Sequence, residues 1–332
     1  MSTKIPILSI CIPTYNRSKF LTESIDSIIN SLKGFEEKVE IIISDNASTD
    51  DTIDVVSNYQ SKYKFIRYNR NIKNVIDKNF FIAASLALGK YVWIFADDDM
   101  MEPNAIRSVL EYIERGYTLL VCNFSKWDNS FQNRLTNKYY NISTNIEFYK
   151  HNEVLQYFGN KLQYLTSIII EKQTFFNLQE DEYSELHEYG ISFAYSLYCG
   201  IYNNSRAILI SNTLVRYRGD NSPLKEINLW YKFFVKGSSI LFDKLAIKGY
   251  SKKSIKKSKE IVLKDYILHD VSNRKRNGEG VMKILVLIYP FYKFEYYYWL
   301  VIVPIIIFPR FIIVGLHFIF KQISSKHYKN RN

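Results

Sequence analysis

The chain has 332 residues, of which 47% are hydrophobic, and this size suits one large α/β domain with an appendage. Its three cysteines are scattered without a CxxC pair, which argues against a disulfide framework or a zinc site and favours a reducing cytosol. Residues 1–230 carry 24 Lys and Arg against 27 Asp and Glu, whereas residues 231–332 carry 20 against 6. Such a basic C-terminal third suits anionic lipid headgroups or nucleic acid. No long apolar region follows the first residues, so we expect no secretory signal.

Strand and helix patterns alternate over the first part of the chain. Apolar runs predict strands at residues 8–12, 39–43, 65–68, 91–95 and 118–121. Amphipathic spacing predicts helices at residues 21–32, after residue 50, and at residues 77–88 and 103–115. The first of these helices closes near Gly34 and the third closes at Gly89. Strands that alternate with helices of this length predict an α/β fold with a doubly wound, mainly parallel sheet.

Three of the predicted strands end in polar loops. These loops contain Thr14-Tyr15-Asn16, Asp45-Asn46 and Asp97-Asp98-Asp99. Because parallel strands end along one edge of a sheet, we expect the loops to converge on one ligand. The three adjacent carboxylates favour a divalent cation bound together with a phosphate group; a turn whose acids stabilise the start of the next helix is the alternative. The absence of GxGxxG and GxxxxGK[ST] at a strand-to-helix turn argues against a dinucleotide fingerprint or a P-loop.

The segments LSICIPTYNRSKFLTESIDSI, VEIIISDNASTDDT and GKYVWIFADDDMMEPNAI resemble the N-terminal half of family 2 glycosyltransferases in their order and spacing. The resemblance implies the GT-A fold and an inverting transfer of a sugar from a nucleotide-sugar donor. It also implies that the loops after the first two strands bind that donor. The residues concerned are Pro13, Thr14, Tyr15, Asn16, Asp45 and Asn46.

The acidic motif departs from the family pattern at one position. Where the family often has DSDD or DADD, an alignment through Pro103 places Ala96 at the first acid. The resemblance then implies that Asp97 binds the ribose and that Asp98 ligates a divalent metal, Mg²⁺ or Mn²⁺. Asp99 is assigned to the metal site with Asp98, either behind the metal ligand or as a helix cap.

The resemblance assigns the acceptor and the general base to residues 123–230. The family's base lies in an ED-like motif, and the corresponding stretch is SELHEYG at residues 184–190. Glu188 is the first candidate, and His187 is the second because a histidine with a pKa of about 6.5 can do the same work. Capping of the next helix is the alternative for both. Arg216 and Arg218 lie in a VRYR stretch and can bind the leaving diphosphate, with surface ion pairs as the alternative.

The C-terminal region, residues 231–332, differs in kind from residues 1–230. Residues 231–277 are helical in pattern and rich in lysine, and residues 281–320 are strongly apolar and aromatic. Residues 296–320 are long enough to cross a bilayer, but Pro304, Pro309 and Arg310 favour a membrane-embedded surface anchor over a full span or a buried core. No nucleic-acid module accompanies the lysines, so we expect a membrane surface and no nucleic acid as the partner.

The predicted protein thus has a GT-A domain over residues 1–230, with a nucleotide-binding half at 1–122, and a membrane-associated helical appendage over residues 231–332. We expect it to transfer a sugar to a lipid-linked glycan of the undecaprenyl-diphosphate type at the cytoplasmic face of the plasma membrane, as a peripheral or monotopic protein. The SDNASTD loop and the ADDD motif resemble O-antigen deoxyhexose transferases of the abequosyltransferase type, which implies a CDP-activated dideoxyhexose donor. The alternatives are a capsule or teichoic-type UDP-sugar transferase and a non-catalytic membrane-bound nucleotide-sugar-binding scaffold.

Overall fold

The computed structural model describes residues 5–76, 78–176, 184–204, 206–219 and 226–309. The chain divides into two compact units, the first formed by residues 1–155 with 161–223 and the second by residues 156–160 with 224–332. The roles assigned from the sequence to residues 1–122, 123–230 and 231–332 stay predictions.

A 10-stranded sheet with helices forms the first unit, which confirms the expected α/β class. The strands are β1 (Leu8–Thr14), β2 (Val39–Asp45), β3 (Ile66–Arg70), β4 (Tyr91–Ile94), β5 (Met100–Met101), β6 (Leu119–Trp127), β7 (Arg134–Thr136), β8 (Ile146–Phe148), β9 (Ile168–Glu171) and β10 (Ala207–Arg218). The helices up to β10 are α1 (Ser18–Leu32), α2 (Thr52–Lys62), α3 (Lys78–Ser85), α4 (Ala105–Glu114), α5 (His151–Phe158), α6 (Lys172–Phe175) and α7 (Ser192–Gly200). Short 3₁₀ turns cover Lys161–Gln163, Leu165–Ser167 and Ser184–Tyr189.

The order of the strands determines where a ligand site forms. The path through the sheet is β3-β2-β1-β4-β9-β6-β10-β5. β1 is parallel to both β2 and β4, so the chain leaves β1 towards one side of the sheet and later returns on the other side. A parallel sheet has an open crevice outside the carboxyl ends of its strands at such a reversal. The residues that follow β1 and β4 therefore face a natural binding position.

The sheet is mixed, whereas the alternating pattern predicts a mainly parallel one. β9 is inserted between β4 and β6 and runs antiparallel to both, while β10 is parallel to β6. The two stretches at residues 207–210 and 214–217 belong to one strand, β10. The strand stays continuous because register shifts between Ile210, Thr213 and Val215 accommodate the intervening residues without a turn.

Helix α3 ends at Ser85, earlier than the predicted end at residue 88. The Lys172 ammonium accounts for this end, since it donates to the carbonyl oxygens of Ser85 and Ala87 at 3.2 and 2.5 Å. The backbone N–H of Gly89 donates to Ser9 Oγ at 2.9 Å. A Cβ at Gly89 would lie 2.9 Å from the backbone nitrogen of Ser9, so glycine is required where the chain turns into β4.

The second unit is helical, as the spacing of its apolar residues predicts. Its helices are α8 (Ile227–Trp230), α9 (Ser238–Lys248), α10 (Lys252–Ile261), α11 (Leu268–Arg276), α12 (Met282–Tyr292) and α13 (Val303–Ile307), with π-helical segments at Tyr231–Gly237, Val262–Ile267 and Tyr298–Ile302. Phe234 stacks on Tyr266 with ring centroids 4.8 Å apart. Among the described residues, no helix combines the length and the apolar character needed to cross a membrane. The predicted membrane segment runs to residue 320, and its part from residue 310 onwards lies outside the described residues.

Candidate active site

A cavity of about 600 Å³ opens at the carboxyl ends of β1 and β4. Its lining consists of Pro13, Thr14, Tyr15, Arg17, Asn46, Asn74, Ile76, Asn79, Phe80, Ile94, Ala96, Asp97, Asp98 and Leu165. The fold thus gathers residues from all three polar loops into one wall. The members that sequence patterns single out are Pro13, Thr14, Tyr15, Asn46, Asp97 and Asp98.

Asp97 is the buried acid of the cavity wall. Its Oδ2 accepts a hydrogen bond from Thr14 Oγ1 at 2.8 Å, which joins the ends of β1 and β4 across the crevice. Its Oδ1 lies 3.1 Å from an Arg17 guanidinium nitrogen. Burial raises the pKa of Asp97 to about 6, and the Arg17 charge opposes that rise. The ionised form of this acid therefore depends on a nearby cation.

Arg17 is a site residue that the sequence patterns did not single out. The nitrogen that contacts Asp97 also donates to Asp98 Oδ2 at 2.8 Å, so one guanidinium bridges both acids. The Arg17 side chain is 40% exposed and lines the cavity. Asp98 Oδ1 accepts no hydrogen bond from the described part of the chain. Arg17 directly follows the first polar loop, and a cation so close to that loop is the signal that could have revealed it.

Asp99 lies behind this pair and is held by two residues that are distant in sequence. Its Oδ2 accepts a hydrogen bond from Tyr164 Oη at 2.7 Å, and its Oδ1 accepts one from the backbone N–H of Arg218 at 2.9 Å. Burial, reinforced by the charge of Asp98, raises the pKa of Asp99 to about 7. Asp99 therefore fixes the acidic loop to the rest of the sheet. Tyr164 gives no local sequence signal, because it meets the acidic loop only through the insertion of β9.

Amide side chains form another part of the cavity wall. Asn74 Oδ1 accepts hydrogen bonds from Asn46 Nδ2 at 2.7 Å and from the backbone N–H of Ile76 at 2.8 Å. Because a backbone N–H can only donate, the acceptor end of the Asn74 amide is fixed by its surroundings. Asn74 Nδ2 donates to no acceptor in the described part of the chain. The cavity wall thus carries an oriented amide donor that is available to a ligand.

Asp45 and Asn16 organise the loops without entering the cavity lining. Asp45 is 1% exposed and accepts hydrogen bonds from Tyr68 Oη at 2.6 Å and the backbone N–H of Ser48 at 2.8 Å. Asn16 has a left-handed φ of 53° and accepts a hydrogen bond from the backbone N–H of Thr49 at 2.7 Å. The contact between Asn16 and Thr49 joins the loop after β1 to the loop after β2, next to Tyr15, which is 43% exposed.

Arg218 is buried beneath the acidic loop, where its side chain is 3% exposed. Its guanidinium carbon lies 4.7 Å from the ring centroid of Phe20 and 4.2 Å from that of Phe131. The same group donates to the main-chain oxygen of Asp98 at 2.7 Å and pairs with the Glu23 carboxylate. Arg218 therefore supports the acidic loop from below and does not line the cavity.

Arg216 lies in a more open environment. It forms a bidentate ion pair with Glu102, with nitrogen–oxygen distances of 2.9 and 2.8 Å. Its guanidinium carbon also lies 5.7 Å from the Trp127 ring centroid. The diphosphate-binding role expected for Arg216 and Arg218 stays a prediction.

The candidate bases lie on the 3₁₀ turn Ser184–Tyr189. His187 Nδ1 hydrogen-bonds with Ser192 Oγ at 3.0 Å, and its ring meets the Phe81 ring edge-on with centroids 5.5 Å apart. Glu188 is exposed to solvent. Neither residue belongs to the cavity lining, so the choice between Glu188 and His187 stays a prediction.

Residues 9–176 match the model of a protein family described as Glycosyl transferase family 2. That match spans half of the chain and includes all three polar loops. The chain belongs to glycosyl transferase family 2. This protein is therefore a glycosyltransferase, as the motifs of its first 120 residues indicate.

Individual relatives of this glycosyltransferase support the same assignment. The abequosyltransferase RfbV of Salmonella typhimurium is 32% identical over 77% of this chain and 80% of its own length. The GalNAc(5)-diNAcBac-PP-undecaprenol beta-1,3-glucosyltransferase of Campylobacter jejuni is 36% identical over 34% of this chain and 36% of its own length. The crystal structure of S. aureus TarS 1-349 in complex with UDP-GlcNAc has a TM-score of 0.59 and 14% identity, covering 84% of this chain and 75% of that one. The last similarity shows a shared fold.

The family implies a divalent metal, and the site can supply only part of the ligands that such an ion needs. Within the described residues, no three His, Cys, Asp or Glu side chains are placed to hold a metal by themselves. Asp98 offers one carboxylate oxygen at the cavity, whereas both oxygens of Asp99 are taken by Tyr164 and the Arg218 backbone. Mg²⁺ is commonly bound by one or two carboxylates together with substrate phosphates. The donor set therefore fits an ion shared between Asp98 and a diphosphate, with Asp99 supporting it indirectly.

Proposed function

We propose that this glycosyltransferase transfers a sugar, a dideoxyhexose, from a nucleotide-sugar donor to a lipid-linked glycan during O-antigen or surface polysaccharide synthesis. The observation that carries the proposal is the cavity at the β1–β4 reversal, which combines an amide donor with the acids Asp97 and Asp98 in a family 2 chain. A nucleoside diphosphate needs both kinds of contact. The 32% identity to an abequosyltransferase supports the sugar.

The nucleoside is assigned to the wall formed by Tyr15, Asn46 and Asn74. The half-exposed Tyr15 ring offers an aromatic surface to a base, and the oriented Asn74 amide donates to a base carbonyl oxygen. Cytosine and uracil both carry such an oxygen, so a UDP-sugar is the rival donor. Asp97 is assigned to the ribose, as the family resemblance implies, because it lines the cavity beside Thr14.

The sugar is assigned to an apolar part of the wall beside the acids. Phe80, Ile94, Ala96 and Leu165 line it, and Ala96 stands where the family pattern has a carboxylate. A wall without hydrogen-bonding groups favours a sugar that lacks hydroxyls, because each buried unpaired hydroxyl costs free energy. This feature supports a deoxygenated hexose over a fully hydroxylated one.

The transfer itself is a single displacement at the anomeric carbon. The acceptor oxygen forms a bond to that carbon while the bond to the diphosphate oxygen breaks, and the hydroxyl proton passes to Glu188, with His187 as the second candidate. Arg17 supplies positive charge beside the departing diphosphate. A Mg²⁺ or Mn²⁺ ion held at Asp98 adds further positive charge to the diphosphate when bound.

The acceptor is proposed to be a glycan on an undecaprenyl-diphosphate-type lipid at the cytoplasmic face of the plasma membrane. The Campylobacter relative is named for an undecaprenol-linked substrate, which supports this class of acceptor. The basic C-terminal region supports a membrane location, because 20 Lys and Arg face only 6 Asp and Glu there.

The test is transfer of radiolabel from CDP-, UDP- and GDP-sugars into membrane lipid extracts, with Mg²⁺, Mn²⁺ or EDTA. We expect incorporation from a CDP-dideoxyhexose that EDTA abolishes. Incorporation from a UDP-sugar alone would contradict the CDP donor, and donor binding without incorporation in any combination would contradict the proposed transfer.

Two substitutions test the assigned roles. Asp98→Asn should lower transfer by about 10²-fold or more by removing the charge that holds the ion, while Asp54→Asn, at an exposed acid of α2, should leave it unchanged. Glu188→Gln should lower transfer by about 10²-fold or more, with Glu185→Gln on the same 3₁₀ turn as the control. An active Glu188→Gln enzyme together with an inactive His187→Gln enzyme would assign the base to His187.

A further inference from the structure

Two helical segments near the end of the described chain are apolar on both faces. α12 reads MKILVLIYPFY, with Lys283 as its only charge, and residues 298–307 read YWLVIVPIII with none. Their inner sides are buried, as Ile288 and Ile302 at 0% exposure illustrate. A helix that faces water on its outer side usually carries polar residues there. The outer sides of these segments therefore lack the polar residues expected of a surface that contacts only water.

The exposed residues form what we call the outer apolar face. It consists of Val286, Tyr289, Phe294, Trp299, Leu300 and Ile307, whose exposed fractions are 74, 45, 90, 50, 72 and 58%. The face continues from one segment to the other, since the rings of Tyr289 and Trp299 meet edge-on with centroids 6.2 Å apart. Grouped apolar side chains of this size and exposure mark an interaction surface.

Helix α10, in the same unit, exposes polar residues and so contrasts with α12 and residues 298–307. Its sequence KKSIKKSKEI buries Ser254 and Ser258 and exposes lysines. The exposed lysines are Lys252, Lys253, Lys256 and Lys257. The apolar exposure at α12 and residues 298–307 is thus specific to these segments.

A buried lysine holds the outer apolar face in shape. Lys275 is 8% exposed, and its ammonium donates to the carbonyl oxygens of Ile305 and Ile306, both at 2.6 Å, and to that of Phe308. These carbonyls end α13 and would otherwise lack intrahelical donors. The last turn is therefore fixed before any partner binds, which reduces the ordering cost of binding.

We propose that the outer apolar face binds the surface of a membrane that contains anionic lipids. Trp299 Nε1 donates to the Lys293 carbonyl at 2.7 Å, and the Lys293 ammonium lies 5.0 Å from the Phe294 ring centroid. Aromatic rings with polar edges beside a lysine are characteristic of the interfacial region of a bilayer. This inference rests on the proposed function for its choice of a membrane location.

Charge and size distinguish a lipid surface from a second copy of the chain. Residues 231–309 carry 15 Lys and Arg against 6 Asp and Glu, which complements anionic headgroups, whereas two copies would bring like charges together. α12 has 11 residues, about 16 Å at the usual rise, against a hydrocarbon core of about 30 Å. Such a helix fits along the interface, with one side in the acyl boundary.

The test is flotation of the full-length protein with phosphatidylcholine vesicles that contain or lack phosphatidylglycerol. The wild-type chain should float with the anionic vesicles, and less of it should float at high salt. Val286→Glu combined with Leu300→Glu should lower partitioning by about tenfold or more, and so should Phe294→Asp, which lies outside both helices. Ile247→Glu, at an apolar residue of α9 that is 88% exposed, is the matched control and should float like wild type.

Several results would overturn the proposal. If the double variant and Phe294→Asp float like wild type, or if Ile247→Glu is equally impaired, the outer apolar face does not bind lipid. A wild-type dimer that sediments as a monomer in the double variant, without vesicle binding, assigns the face to a second copy. Nucleotide binding in solution separates the two hypotheses: a vesicle-binding chain that binds no donor contradicts only the proposed function, and a donor-binding chain that ignores vesicles contradicts only this inference.

Discussion

Arg17 gives the site a cation of its own, which pairs with both Asp97 and Asp98. Arg17→Met leaves Asp97 and Asp98 without their shared counter-charge, so we expect a loss of about 1–2 kcal/mol in the free energy of unfolding, since the arginine is partly exposed. Urea denaturation in EDTA measures this loss. Mn²⁺ should then stabilise Arg17→Met more than wild type, because the ion replaces the missing charge, and Arg17→Lys should behave like wild type. Equal stabilisation of all three proteins would show that Arg17 and the ion do not compete.

Asn74 permits a test of nucleoside binding with a side chain of the same shape. In Asn74→Asp the oxygen that accepts from Asn46 and Ile76 is retained, while the amide NH₂ becomes a second carboxylate oxygen and the side chain gains a negative charge. We expect the affinity for the donor nucleotide to fall by about tenfold or more, because the base carbonyl loses its donor and the added charge repels the diphosphate. Calorimetric titration with the nucleotide measures the change. An unchanged affinity would place the base elsewhere in the cavity.

At the scale of elements, the end of β10 stabilises the acidic loop through the contacts of Arg218. Removing the buried Arg218 guanidinium in Arg218→Met leaves Glu23 and the Asp98 carbonyl without their donor, and we expect a loss of about 3 kcal/mol of stability together with loss of transfer. Arg216→Met is the matched control, since the Arg216 side chain is 32% exposed against 3% for Arg218, and its ion pair with Glu102 is worth about 1 kcal/mol or less. Chemical denaturation of both variants compares them, and equal losses would contradict the supporting role of Arg218.

Local patterns predict local elements well in this chain. The buried apolar run of β1 and the left-handed Gly34 after α1, at φ 86°, appear where the sequence places them. The exceptions have long-range causes: Lys172 ends α3 early, and β9 enters the sheet antiparallel from far along the chain. The same division applies to the site. The three polar loops are visible in the sequence, whereas Tyr164 joins Asp99 only through tertiary structure.

At the scale of the whole molecule, membrane binding and chemistry should be separable. If the outer apolar face brings the enzyme to its acceptor, Val286→Glu with Leu300→Glu should raise the apparent KM for a lipid-linked acceptor in vesicles by about tenfold or more. The same variant should use a water-soluble acceptor analogue as well as wild type does. Steady-state kinetics with both acceptors measure this, and a parallel loss on the soluble acceptor would indicate damage to the catalytic unit.

The dependence of Asp99 on Tyr164 and on the backbone of Arg218 also bears on biosynthesis. These partners lie 65 and 119 residues downstream of Asp99, while the four parallel strands that frame the crevice all precede it. During translation, an N-terminal segment with β1 to β4 emerges long before the contacts that fix its acidic loop. A ribosome-bound chain shorter than 218 residues therefore carries Asp97 and Asp98 without the contacts that fix Asp99, so we expect such a chain to bind donor nucleotide less tightly than the complete protein.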